Sequence, residues 1–200
     1  MLESLTSLIS GSPWTYAIVL GLAALDAIFP FFPSETAAIA AGVVAGAGDL
    51  SILFVVMAAA AGAFIGDNSS YGVGRTAGQR FTQPLFRGEK GRARRRWAER
   101  TLDTRGGYLI VTARFIPGGR TATTLTAGLT RMRWTRFVSY AALAAVLWAS
   151  FAAGLGYLGG KAFEERPLLG LGAALTVAAA ITIGVELARR LPRSRPCVAC

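Results

Sequence analysis

The chain has 200 residues, of which 53% are hydrophobic and only 16% charged, a balance that excludes an ordinary soluble enzyme and fits a membrane protein. Its net charge of +10 does not point to nucleic acid, because no soluble basic module remains to bind it; the excess points to loops facing anionic lipid. Histidine is absent, which removes the usual general base of a hydrolase and the imidazole ligand of zinc, haem or copper, so no cofactor is expected.

Met1-Leu2-Glu3 lacks the basic region of a cleaved signal peptide, so the first apolar stretch is expected to stay. Trp14 to Phe29 reads as a first span, ended by Pro30-Phe31-Phe32-Pro33, where each proline removes a donor and clashes with the preceding turn. Residues 34–48 are too few to cross alone, so 30–48 reads as a re-entrant hairpin broken at Pro33. Leu50 to Tyr71 makes the next span and completes a first repeat over 14–74. Residues 75–105 hold ten Arg or Lys against Glu89, Glu99 and Asp103, which the positive-inside rule places in the cytoplasm, facing anionic head groups. There Trp97 and Leu102 suit a short helix lying on the leaflet, with a simply solvated loop the alternative.

A second re-entrant hairpin is expected over 107–130, broken at Pro117, Gly118 and Gly119, and followed by a span over 137–160. These make a second repeat over 106–163, with a last span at 167–188 and a basic cytoplasmic tail at 189–200. The tail's Cys197 and Cys200 are one pair and cannot complete a four-ligand metal site. Both termini are expected in the cytoplasm. The fold class is an all-α integral membrane protein in a single domain over 1–200, with about four full spans and two hairpins entering from opposite faces. A homodimer is compatible with so short a chain, although the glycine spacings are too common to argue for one.

The halves resemble each other. Phe32-Pro33 followed by Ala41-Gly42 parallels Ile116-Pro117 followed by Ala127-Gly128, and Gly72-x-Gly74-x-x-x-Gly78 parallels Gly154-x-Gly156-x-x-x-Gly160. Internal similarity with opposite entry is the pattern of an inverted-repeat transporter, whose site lies where the broken elements meet. The Gly62-x-x-x-Gly66, Gly74-x-x-x-Gly78 and Gly156-x-x-x-Gly160 spacings read as close helix packing.

Asp26, Glu35, Arg114 and Arg120 lie in or beside membrane-depth segments, where each charge costs on the order of 3 kcal/mol. One reading pairs Glu35 with Arg120 and Asp26 with Arg114 as bridges that only cement the halves. The other places them in a polar cavity, where two arginine forks suit a phosphate while Glu35 and Asp26 balance charge or carry a proton. Asp67, near the end of the second span, is either solvated or paired with Arg75, or else belongs to the same pathway. No catalytic residue or metal site is expected, because neither a histidine nor a D-x-x-D carboxylate cluster is present.

At these residues the chain resembles the DedA family, whose shared region is also called the VTT or SNARE-associated domain. The matches are Phe32-Pro33-Ser34-Glu35 with Ala41-Gly42, Gly66-Asp67-x-x-x-Tyr71-x-x-Gly74-Arg75-x-x-Gly78, and Arg114-Phe115-Ile116-Pro117-Gly118-Gly119-Arg120 followed by Ala127-Gly128, Met132, Phe137 and Trp148. The resemblance implies a bacterial inner-membrane protein with two re-entrant hairpins and a role in envelope maintenance, including return of undecaprenyl phosphate across the membrane; eukaryotic relatives are phospholipid scramblases. It also implies required acids at Asp26 and Glu35 and required arginines at Arg114 and Arg120, with Asp26 standing where the family commonly has Glu. The expectation is a lipid transporter, open to proton coupling, for a phosphate-headed lipid, undecaprenyl phosphate foremost. A general phospholipid scramblase and a proton- or cation-coupled small-solute transporter are the alternatives.

Overall fold

The computed structural model describes residues 13–27, 34–81, 100, 104, 106–114, 119–163 and 172–180. Among the described residues all regular structure is helical: α1 (Pro13–Asp26), α2 (Ser34–Gly46), α3 (Ile52–Phe81), α4 (106–113), α5 (Gly119–Leu129), α6 (Trp134–Ala162) and α7 (172–180). Two of these are long and apolar enough to cross a bilayer, 25 residues over Ile52–Thr76 and 29 over Trp134–Ala162.

The first helix ends earlier than expected. The sequence reading carries it to Phe29; among the described residues α1 covers 14 residues, rises about 21 Å and ends at Asp26. It ends at Asp26 because side chains of the other elements take over its terminal carbonyls: Ser70 and Thr121 donate to the Ala27 carbonyl, and Arg120 donates to that of Ala23. Conversely, α3 runs past the expected boundary at residue 74 to Phe81, so the first part of the basic segment extends the span. Most of the basic loop, the tail with its cysteines, Pro33, Pro117 and Gly118 lie outside the described residues, as does most of the expected last span beyond 172–180.

The short helices α2 and α5 end alike. After α2, the Gly48 amide donates to Ala45 and that of Asp49 to Val44, with Gly48 at φ 97°. After α5, the Arg131 amide donates to Gly128 and that of Met132 to Ala127, the same double closure. Here, however, the left-handed position is filled by Arg131, at φ 55°. A side chain strains that conformation by about 1 kcal/mol. Arg131→Gly is therefore expected to raise the unfolding midpoint in detergent by a few degrees, and an unchanged or lower midpoint would count against this strain.

Packing is inside-out relative to a soluble protein. Leu53, Phe54, Met57, Ile65 and Val73 of α3 and Leu143, Val146, Leu147 and Leu158 of α6 are exposed, while the interior is largely alanine. One cluster gathers α1, α2, the first half of α3 and the second half of α6; another joins Tyr71, Ile110, Ala127, Met132, Phe137, Ala141 and Ala144. In the second, the Tyr71 and Phe137 rings stack at 4.5 Å between centroids, and the Tyr71 hydroxyl donates to the Met132 carbonyl.

The expected glycine packing is present. Gly62 and Gly66 of α3 lie against the Leu20 and Ala24 carbonyls of α1. Each short helix is seated on the long helix of the other half. Gly42 of α2 lies against the Ala153 carbonyl of α6, and Gly156 of α6 against that of Ile39. Gly128 of α5 lies against the Tyr71 carbonyl of α3, and Gly74 of α3 against that of Leu125. At all four, a Cβ would overlap the facing backbone, whereas the paralleled positions Gly72 and Gly154 face open space.

Candidate functional site: a buried cluster of two carboxylates and two arginines

The cluster forms where α1 ends, α2 and α5 begin and α3 passes. Asp67 is its centre. The Asp67 side chain is 1% exposed, and its two oxygens serve different arginines: Oδ2 accepts from Arg114 Nη1 at 2.5 Å and Oδ1 from Arg120 Nε at 2.7 Å. Asp26, with a side chain 20% exposed, accepts from Arg120 Nη1 at 3.1 Å and from the Ser34 hydroxyl at 2.7 Å. Arg120 Nη2 donates to the Ala63 carbonyl at 3.0 Å and to that of Ala23 at 3.4 Å. All three Arg120 nitrogens thus have acceptors, and the side chain fastens α5 to α1 and α3.

Arg114 is held differently. Its guanidinium carbon stands 5.3 Å from the centre of the Trp148 ring, midway along α6, and among the described residues only Nη1 has an acceptor. Nε and Nη2 are buried without a hydrogen-bond partner among the described residues. An unmatched buried donor costs roughly 1–3 kcal/mol, so the open edge of Arg114 is an energetic cost that an anion would relieve. The surroundings favour an anion, because Ser34 opens α2 and Gly119 opens α5, bringing two positive helix ends to the cluster.

Three residues read from the sequence as costly at membrane depth, Asp26, Arg114 and Arg120, are in the cluster, but their partners differ from the pairing considered there. Arg120 pairs with Asp67 and Asp26, and Arg114 with Asp67. Glu35 is exposed in the first turn of α2 and makes no ion pair among the described residues, although its charge interacts with that of Asp26. Asp67 is neither solvated nor bound to Arg75, which donates instead to the Tyr71 hydroxyl at 2.8 Å. Gly119, read as part of the break, is the first residue of α5. Sequence reasoning did not single out Ser34, Ser70 or Thr121, which cap the open end of α1 and hold its carboxylate.

Long apolar helices, short helices seated against them and a buried cluster of acidic and basic side chains are the features of a helical membrane protein with a polar interior. Residues 32–158 match the VTT domain, and the chain belongs to that family, which includes the DedA proteins. Protein DedA of Escherichia coli K12 is 29% identical over 159 residues, covering 74% of this chain and 69% of its own length. An uncharacterized membrane protein of Synechocystis is 32% identical over 153 residues, covering 72% and 66%, and one of Mycobacterium leprae is 28% identical over 146 residues, covering 70% and 64%. No solved structure matches the chain significantly.

Proposed function

We propose that the chain is a lipid transporter that moves a phosphate-headed lipid between the leaflets of the bacterial cytoplasmic membrane. The open Nε and Nη2 edge of Arg114, buried in a cluster that two helix N-termini enter, carries this reading. Arg114 makes the direct contact with phosphate, and Arg120 holds Asp67 and Asp26 as fixed counter-charges. The cluster is already balanced two against two, so an entering anion adds uncompensated charge that a proton offsets. Asp26, the more exposed of the two buried acids, and neighbouring Glu35 are the groups to carry it. Undecaprenyl phosphate is the foremost substrate because the DedA resemblance implies it.

The same reading takes the two halves as an inverted repeat with hairpins entering from opposite faces. Its support is the matched seating of α2 on α6 and α5 on α3 through paralleled glycines. Both termini are cytoplasmic, the basic loop meets anionic lipid, and no chemical change is made to the substrate.

The test is leaflet-to-leaflet movement of undecaprenyl phosphate in proteoliposomes, with phosphatidylethanolamine as competitor and an imposed pH gradient. Arg114→Ala should slow selective movement by about a hundredfold, as expected for two lost charge-assisted hydrogen bonds. Equal movement of both lipids would assign a general scramblase, and movement of neither would remove the lipid reading.

A further inference from the structure

Arg114 meets its surroundings in three ways, through Nη1, through the Trp148 indole and along the Nε/Nη2 edge. Nη1 donates to Asp67, the guanidinium carbon stands over the Trp148 ring at 5.3 Å from its centre, and the remaining edge is buried without an acceptor among the described residues. Nε and Nη2 present two parallel donors, the arrangement that two oxygens of a phosphate or carboxylate accept together. One ion pair cannot by itself fix where that edge points, because the guanidinium can still turn about its contact with Asp67. The indole beside the guanidinium restricts that freedom through a cation–π contact, which favours the broad, weakly hydrated guanidinium over a compact ammonium. Trp148 is itself firmly borne: it is buried on α6, the helix that Gly156 and Gly160 seat against α2.

We propose that Trp148 is a positioning residue for anion binding at Arg114, holding the guanidinium plane so that its Nε/Nη2 edge receives one oxyanion, a phosphate carried by a lipid head group or free in solution. This rests on the reading of Arg114 as the anion contact. An anion on the far edge draws on the charge that the indole faces, so Trp148 also reports occupancy of the site through its emission.

The experiment uses the full chain in phosphatidylcholine vesicles with Trp14, Trp97 and Trp134 replaced by Phe, leaving Trp148 as the sole indole. Emission is followed as inorganic phosphate is added and, separately, in vesicles containing phosphatidic acid, a phosphomonoester lipid. A saturable change that disappears in Arg114→Lys, with helical circular dichroism retained, is expected. Response to inorganic phosphate identifies the free ion as a ligand, response to phosphatidic acid alone identifies the head group, and either supports the proposal. Transport is then compared for Trp148→Leu and for Trp148→Phe, which keeps an aromatic face. The substrate concentration for half-maximal rate should rise about tenfold in the first and about threefold in the second, with helical content and maximal rate little changed. A lower maximal rate at an unchanged half-maximal concentration would make Trp148 a packing residue and overturn the proposal. So would emission indifferent to both phosphates. If Arg114→Ala abolishes transport while Trp148→Leu keeps its affinity, the proposed function stands and this inference falls. If the emission change depends on Arg114 but the chain moves no lipid, the role of Trp148 stands and the proposed function falls.

Discussion

Asp67→Ala should be the most destabilising exchange of any charged residue in the chain, by about 3–5 kcal/mol, because it breaks a buried ion network at its centre. The carboxylate is 1% exposed and engages Arg114 with one oxygen and Arg120 with the other. Without it, two buried arginines have only Asp26 between them among the described residues, and Asp26 reaches Arg120 alone. Asp67→Asn keeps the volume but turns an amide donor toward one guanidinium, so it should fare little better. Charge rather than shape is the cause if the double variant Asp67→Asn/Arg114→Gln, which restores one acid to one arginine, melts above Asp67→Asn alone. Thermal unfolding of the three purified proteins in one detergent decides it. Asp67→Asn melting with the wild type would mean that the network contributes no stability.

Much of this site is legible in the sequence, and the reason is energetic. Arg114 and Arg120 stand out because a charge in an apolar stretch must have a partner, and the partner's sign follows from theirs. Which acid answers them depends on rotation about a helix axis, where a single step turns a side chain by about 100°. Asp67 does carry a signal for this: Ala59, Ala63, Ser70 and Gly74 lie at helical spacing from it and are buried with it, a stripe of small residues on one face of α3. Its nearness to the end of the apolar run led instead to an interfacial reading, since α3 continues as a regular helix to Phe81 through residues that looked like loop. Glu35 misleads in the opposite sense. Ala38 and Ile39, one turn on, are buried, yet Glu35 itself is exposed where α2 begins. The glycine spacings translated more directly, because the absence of a Cβ has one geometric use when two backbones touch, whichever partner supplies the second backbone.

The same logic gives opposite expectations for two glycines on one turn of α6. Gly154 has nothing within 4 Å of where its Cβ would stand, so Gly154→Ala should only improve helix propensity, adding up to about 1 kcal/mol. At Gly156 the added atom would overlap the Ile39 carbonyl oxygen and stand 3.0 Å from Gly42 Cα, both backbone atoms that no rotamer change can move aside. Gly156→Val must therefore push α2 off α6, and overpacking of this kind costs about 3 kcal/mol. The consequence reaches the site, because α2 carries Ser34, whose hydroxyl holds Asp26, and α6 carries Trp148, whose ring faces Arg114. Gly156→Val is expected to lower both the unfolding midpoint and the proposed lipid movement, while Gly154→Ala leaves both intact. The paralleled pair predicts the same contrast on α3, with Gly74→Val harmful against the Leu125 carbonyl and Gly72→Ala tolerated. Equal midpoints for Gly154→Ala and Gly156→Val would show that the two long helices do not seat the short ones through these glycines, and the support for matched halves would go with them.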